Sequence, residues 1–252
     1  MSSVLEASLV FVAGIAAGTI NTVVGSGTLI TFPVLLSVGL SPLTANVTNT
    51  LGLVPGSFVG AYGYRDRLVG QRRLVLRLGS ASLIGAVAGA TLLLALPAGA
   101  FKTIVPVLIA LSLVLVVAGP ALNRRLAARR GPRGDTPSRT LWGATVGAGA
   151  YGGYFGAAQG VLLMGLLGAL HGGDIQRNNA VKNLLTGTAN MVAAVVFVIL
   201  ARPDWWCVAL IASGSTLGGL LGARIGQRLR PSVLRATIVV VGLVAIVKLL
   251  TS

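Results

Sequence analysis

Seven apolar stretches, residues 4–24, 74–96, 102–120, 141–158, 180–200, 205–223 and 232–250, come close to the roughly 20 residues that a helix needs to cross a bilayer core. An eighth, 41–64, is as long but more polar, and two more, 28–40 and 160–170, are too brief to span when straight. A chain patterned in this way folds as helices in lipid, where a helix satisfies its own backbone amides and carbonyls. The two brief stretches read as broken or re-entrant segments. Composition points the same way: 54% of the side chains are hydrophobic and 10% are charged, too apolar for a water-facing surface. The 35 glycines suit helices that approach closely without a hydrophobic driving force between them. The expected class is an all-α integral membrane protein.

Lys and Arg total 20 against 5 Asp and Glu, for a net charge of +15. In a soluble chain that balance would indicate nucleic acid. Here the cations stand between apolar runs: Arg65, Arg67, Arg72, Arg73 and Arg77, then 124–139, then Arg224, Arg228, Arg230 and Arg235. They read as cytoplasmic loops obeying the positive-inside rule, with no nucleic-acid partner. Gly131, Pro132, Gly134 and Pro137 mark the middle cluster as a linker. The chain therefore divides into a first membrane repeat (1–120), a basic cytoplasmic linker (121–139) and a second membrane repeat (140–252). Cys207 is the only cysteine and His171 the only histidine, so an intrachain disulfide is excluded and a zinc site or a Ser/His/Asp triad would rest on one residue. The segment before Arg65 carries Glu6 and no cation, and so lacks the basic region of a cleaved secretory signal.

The chain also repeats itself. An offset of 133 positions places Ser82, Gly85, Gly89, Ala90 and Val107 on Ser215, Gly218, Gly222, Ala223 and Val240, and Gly27 on Gly160. One further residue aligns Val47 and Asn49 with Val181 and Asn183, so that Lys182 matches Thr48. The basic loop follows the third element in the first half and the fourth in the second. Complementary loops then face the cytoplasm, as expected of inverted repeats of five elements each, with both chain ends outside.

Polar residues inside membrane segments are costly and mark function. In the first half they are Asn21, Gly25, Ser26, Gly27 and Thr28, where glycines permit an unwound backbone before the first brief stretch, and Thr48 and Asn49 in the next helix. Freed amides at the start of a short helix offer partial positive charge to an anion, whereas close glycine packing would serve structure alone. In the second half they are Tyr154, Gln159 and Gly160, then Asn179, Lys182 and Asn183. Every other cation can be assigned to a loop or a segment end. Lys182 either snorkels to the interface or awaits an anion, since Asp174 is the only carboxylate near it in sequence.

Together these segments, GTINTVVGSGTLITFP, ANVTNT and GAYGYRDR in the first half and GGYFGAAQG and NNAVKN in the second, resemble the sulfite exporter TauE/SafE family of membrane transporters over nearly the whole chain. The resemblance implies transport of small sulfur-containing anions, such as sulfite or organosulfonates, across a bacterial plasma membrane by a multi-pass protein. It carries the family's signature regions onto 25–33 and 154–183. The expected protein is a secondary transporter working as an exporter, with no cofactor, no metal and no catalytic residue. Its partners are a small anionic solute and membrane lipid, and self-association as a homo-oligomer stays open. An anion channel or a membrane assembly scaffold is the alternative. An intramembrane enzyme would have to rest on His171 and Asp174.

Overall fold

The computed structural model describes residues 4–128, 138–172, 174–225, 236, 238–241 and 243. Most of the expected linker, and most of the last apolar run with Arg228, Arg230 and Arg235, lies outside the described residues. The described part is helical: α1 (Val4–Val23), α2 (Thr28–Ser37), α3 (Pro42–Gly63), one 3-10 turn (Arg65–Leu68), α4 (Arg72–Ala95), α5 (Ala98–Ala128), α6 (Arg139–Tyr154), α7 (Gln159–Leu170), α8 (Ile175–Leu200) and α9 (Trp205–Ile225). The starts are those the side chains dictate. Ser41 caps α3, accepting from Thr44 N at 3.3 Å ahead of Pro42, and Ser138 caps α6, accepting from Leu141 N at 3.0 Å. Asp174 caps α8 through the amides of Gln176 and Arg177, both at 3.1 Å. α5 continues to Ala128, into the stretch expected as linker.

Among the described residues, α1, α4, α8, α9 and the 99–119 part of α5 are long and apolar enough to cross a membrane. Their outer faces carry large apolar side chains such as Leu83, Val87, Val114, Val195 and Ile199, all exposed, while Asn21, Asn179, Asn183, Asn190 and Lys182 are buried. This is the inside-out distribution that lipid imposes. The protein is an all-α integral membrane protein.

Small residues set the packing. α1 and α9 run in the same direction, with Gly14 against Ile211 and Gly214, Gly18 against Ser215, and Gly222 against Thr19 and Thr22. A Cβ on Gly18 would stand 2.8 Å from Ser215 Cα, so these backbones touch. α3 also follows α9, from Gly52 beside Ile211 to Gly63 beside Ala223. α4 and α6 form the matching pair, Gly149 on Ser82 and Gly153 on Ala86. Two hydrogen bonds tie the halves reciprocally: Ser82 Oγ donates to Leu185 O at 2.9 Å and Ser215 Oγ to Gly52 O at 2.8 Å. Donors and acceptors are both related by 133 positions, with the halves exchanged.

The brief helices turn the chain back on itself. α3 starts at the end of the bundle where α1 starts, since both run with α9, so α2 has brought the chain back. α7 likewise returns to the end where α6 began: its Leu163 and Leu167 pack with Leu141 of α6 and with Leu74 and Leu78 at the start of α4. α1–α2 and α6–α7 are thus helical hairpins.

Candidate functional site at the tips of two helical hairpins

The hairpin tips meet. Gly25 takes φ +90°, a conformation that costs a residue with a side chain ~1–2 kcal/mol, and its carbonyl accepts Gly160 N at 3.0 Å. A Cβ on Gly25 would come 2.5 Å from Gly160 Cα, so both positions need hydrogen as side chain. The other tip turns through Gly156 at φ +73° and Ala158 at φ +62°. Phe155 in that turn packs edge-on against Phe32 of α2, ring centroids 5.3 Å apart. Tyr151 OH and Ser112 Oγ both bond Ala157 O, the latter at 2.9 Å, which pins the second turn to α5 and α6.

A helix that ends inside the protein leaves carbonyls that water cannot reach. For α1 the partners come from α8. Lys182 Nζ donates to Asn21 O at 2.9 Å and Thr22 O at 3.1 Å, and Asn179 and Asn183 side-chain amides donate to the same Thr22 O at 3.2 and 3.3 Å. Lys182 is fully buried (0% exposed), and its stem passes over Gly160. It neither snorkels nor pairs with Asp174, which is engaged at the α8 cap. For α6 the partner comes from α3, where Asn46 Nδ2 donates to Tyr154 O at 2.9 Å. Asn46 and Asn179 are again 133 positions apart, so this register sets Lys182 opposite Asn49, one place from the alignment drawn on sequence.

The remaining candidate residues fall into three groups. Thr28 accepts from Asn49 Nδ2 at 3.1 Å, while Asn49 Oδ1 takes the Thr31 hydroxyl, so these side chains fasten α2 to α3. Gly27 is pressed against Ala17 and Asn21, and Asn21 Nδ2 donates to Ser57 Oγ at 3.1 Å. Thr48 stands apart, its hydroxyl accepting Asp204 N at 3.0 Å ahead of α9. The third group is unpaired. Ser26 Oγ, Thr22 Oγ1, the Tyr154 hydroxyl and both amide atoms of Gln159 are buried with no hydrogen-bond partner. Each such group costs about 1–3 kcal/mol, which a polar ligand would recover.

The two helix starts differ. The first amides of α7 are filled, Gln159 N by Gly156 O, Gly160 N by Gly25 O and Val161 N by Ala158 O. In α2 the first filled amide is Leu29 N, on Ser26 O at 3.2 Å. At the α2 start, with the Ser26 hydroxyl beside it, the amides of Ser26, Gly27 and Thr28 thus lack a backbone partner. Sequence reading missed Asn46, Tyr151 and Ser112 as organisers of the tips. The 133-position offset from Asn179 could have found Asn46.

Helical hairpins that meet tip to tip within a lipid-facing bundle, with a buried ammonium beside the contact, define a multi-pass membrane protein with an internal polar centre. The family model described as "Sulfite exporter TauE/SafE" matches residues 10–249. The chain belongs to that family. It is 28% identical over 251 residues to the "Probable membrane transporter protein YfcA" of Escherichia coli (strain K12), covering 99% of this chain and 91% of the relative. It is also 26% identical over 245 residues to a "Probable membrane transporter protein" of Haemophilus influenzae (96% and 93%) and 29% over 246 residues to the "Probable membrane transporter protein ORF9" of a Sinorhizobium species (96% and 92%). No solved structure gives a significant match.

Proposed function

We propose that this chain is a secondary transporter that exports small sulfur-containing anions, such as sulfite or organosulfonates, across the plasma (inner) membrane. The observation that carries this reading is the set of unpaired buried polar groups around the Gly25/Gly160 contact, with the Lys182 ammonium as the only buried cation among the described residues. The anion is placed at the α2 start, with Ser26 and Gln159 as donors, Asn21, Thr28, Asn49, Tyr154, Asn179 and Asn183 shaping the wall, and Lys182 balancing the charge. The family and the names of the relatives support the transporter class.

The two halves, 1–120 and 140–252, are read as inverted repeats joined by a cytoplasmic linker within 121–139. The shared direction of α1, α3 and α9, the pairing of α4 with α6 and the reciprocal serine bonds support inversion. Outward movement of a monovalent anion gains about 2.3 kcal/mol per 100 mV of inside-negative potential, so export needs no proton relay.

The test is uptake of labelled sulfite, thiosulfate, sulfoacetate and sulfate by proteoliposomes, with the potential set in both signs. Saturation and counterflow with at least one sulfur anion are expected, and linear flux without counterflow would make the protein a channel. Lys182→Ala is expected to abolish saturable movement at unchanged expression. Undiminished transport in that variant would discard the site.

A further inference from the structure

Discontinuous helices in membrane carriers use their unwound carbonyls and C-terminal ends to hold a coupling cation. The end of α1 is such a place. Asn21 O and Thr22 O lie in its last turn, at the negative pole of the helix, and the Thr22 hydroxyl beside them is buried and unpaired. What sits there is the ammonium of Lys182, at 2.9 and 3.1 Å from the two carbonyls, with no carboxylate paired to it. Among the described residues the only ion pair formed is Arg65 with Asp66, on the surface. The other half has no such occupant: Asn49 holds the corresponding register position and turns toward Thr28, and the α6 end is met by Asn46 alone.

We propose that the α1 end is a monovalent-cation site which this chain fills with its own Lys182 ammonium, so that a tethered charge stands in for a coupling ion and sodium takes no part in transport. The geometry separates this role from that of an ordinary anion ligand. An anion ligand would aim its protons at the solute, whereas here two of the three protons of the ammonium are spent on main-chain carbonyls at the end of α1. Removing the side chain leaves Asn21 O without its donor and Thr22 O with the Asn179 and Asn183 amides alone, and a small free cation then becomes the natural replacement beside Asn21 O.

The experiment uses the purified full-length protein in detergent and reads thermal unfolding, which does not depend on sulfite or any other anion being the cargo. Wild type and Lys182→Ala are melted in chloride salts of sodium, ethylammonium and choline at equal ionic strength. The wild type is expected to melt alike in all three. The variant is expected to melt lower in choline and to gain about 3 °C or more in sodium or ethylammonium. Equal melting of the variant in all three salts, or a sodium-dependent rise in the wild type, would overturn the proposal. If Lys182→Ala cannot be purified, Lys182→Met, which keeps the apolar stem over Gly160, takes its place. Should neither variant be recovered, the wild-type melts decide, since a rise in sodium overturns the proposal and equal melting upholds it. In proteoliposomes the wild type is expected to move labelled sulfite equally with sodium or choline outside. Absence of sulfite movement alongside the expected melting pattern would remove the assigned cargo and leave the cation site standing.

Discussion

A glycine at a crossing point does two things, and substitution can separate them. Gly25 and Gly39 share nearly the same backbone, φ +90° and +92°, but a Cβ on Gly25 meets Gly160 whereas one on Gly39 meets nothing within 4 Å. Gly39→Ala is therefore expected to cost only the backbone term, about 1–2 kcal/mol. Gly25→Ala is expected to add a packing cost of about 1–3 kcal/mol and to part the two tips. Melting temperatures of the two variants measure the difference directly, and equal losses would mean that the contact contributes nothing. At this scale the sequence was informative about where the chain breaks, because Gly25-Ser26-Gly27 and the glycines of 152–160 interrupt apolar runs. It was uninformative about what Lys182 touches. Its partners are main-chain carbonyls, which every residue possesses and no motif announces. Thr48 is silent for a different reason: a buried threonine looks the same in sequence whether it faces a solute or a neighbouring backbone amide, and here its hydroxyl accepts Asp204 N.

At the level of the helix, each interrupted end depends on its cap from the opposite half, and the two caps are unequal. Thr22 O receives Asn179, Lys182 and Asn183, whereas Tyr154 O receives Asn46 alone. Asn46→Ala is thus expected to destabilise by about 1 kcal/mol or more, because it strands a buried carbonyl. Asn179→Ala is expected to cost a few tenths, about the share of one donor in three, given that hydrogen bonds in membrane proteins average about 0.6 kcal/mol. Unfolding in mixed micelles titrated with a denaturing detergent would rank the two, and a larger loss at Asn179 would contradict the capping scheme. Helix positions were legible from apolar runs to within a few residues for α1, α3, α8 and α9. The far end of α5 was not, because a helix that emerges from lipid continues with polar residues that hydropathy reads as loop.

For the molecule as a whole, the sorting of charge fixes orientation. Arg65, Arg67, Arg72 and Arg73 are exposed where α3 gives way to α4, and Arg139, Arg177 and Arg224 stand at the ends of α6, α8 and α9 that gather there. The opposite end holds Glu6 and the neighbouring Arg202 and Asp204. By the positive-inside rule the arginine end is expected to face the cytoplasm. In a Cys207→Ser background, Asp66→Cys is expected to resist a membrane-impermeant maleimide in intact spheroplasts and to react after lysis, while Ser37→Cys reacts in both. The reverse pattern would invert the protein in the bilayer and with it the sense of export.

The exchanged caps and serine bonds carry a consequence for biogenesis. When the ribosome has delivered only the first half, the α1 end still lacks its amide and ammonium donors, and Ser82 lacks Leu185 O. Neither half can complete these hydrogen bonds alone. Two gene fragments split within the linker are expected to yield little product when expressed singly and a stable assembly when translated together, as read by immunoblot of the membrane fraction.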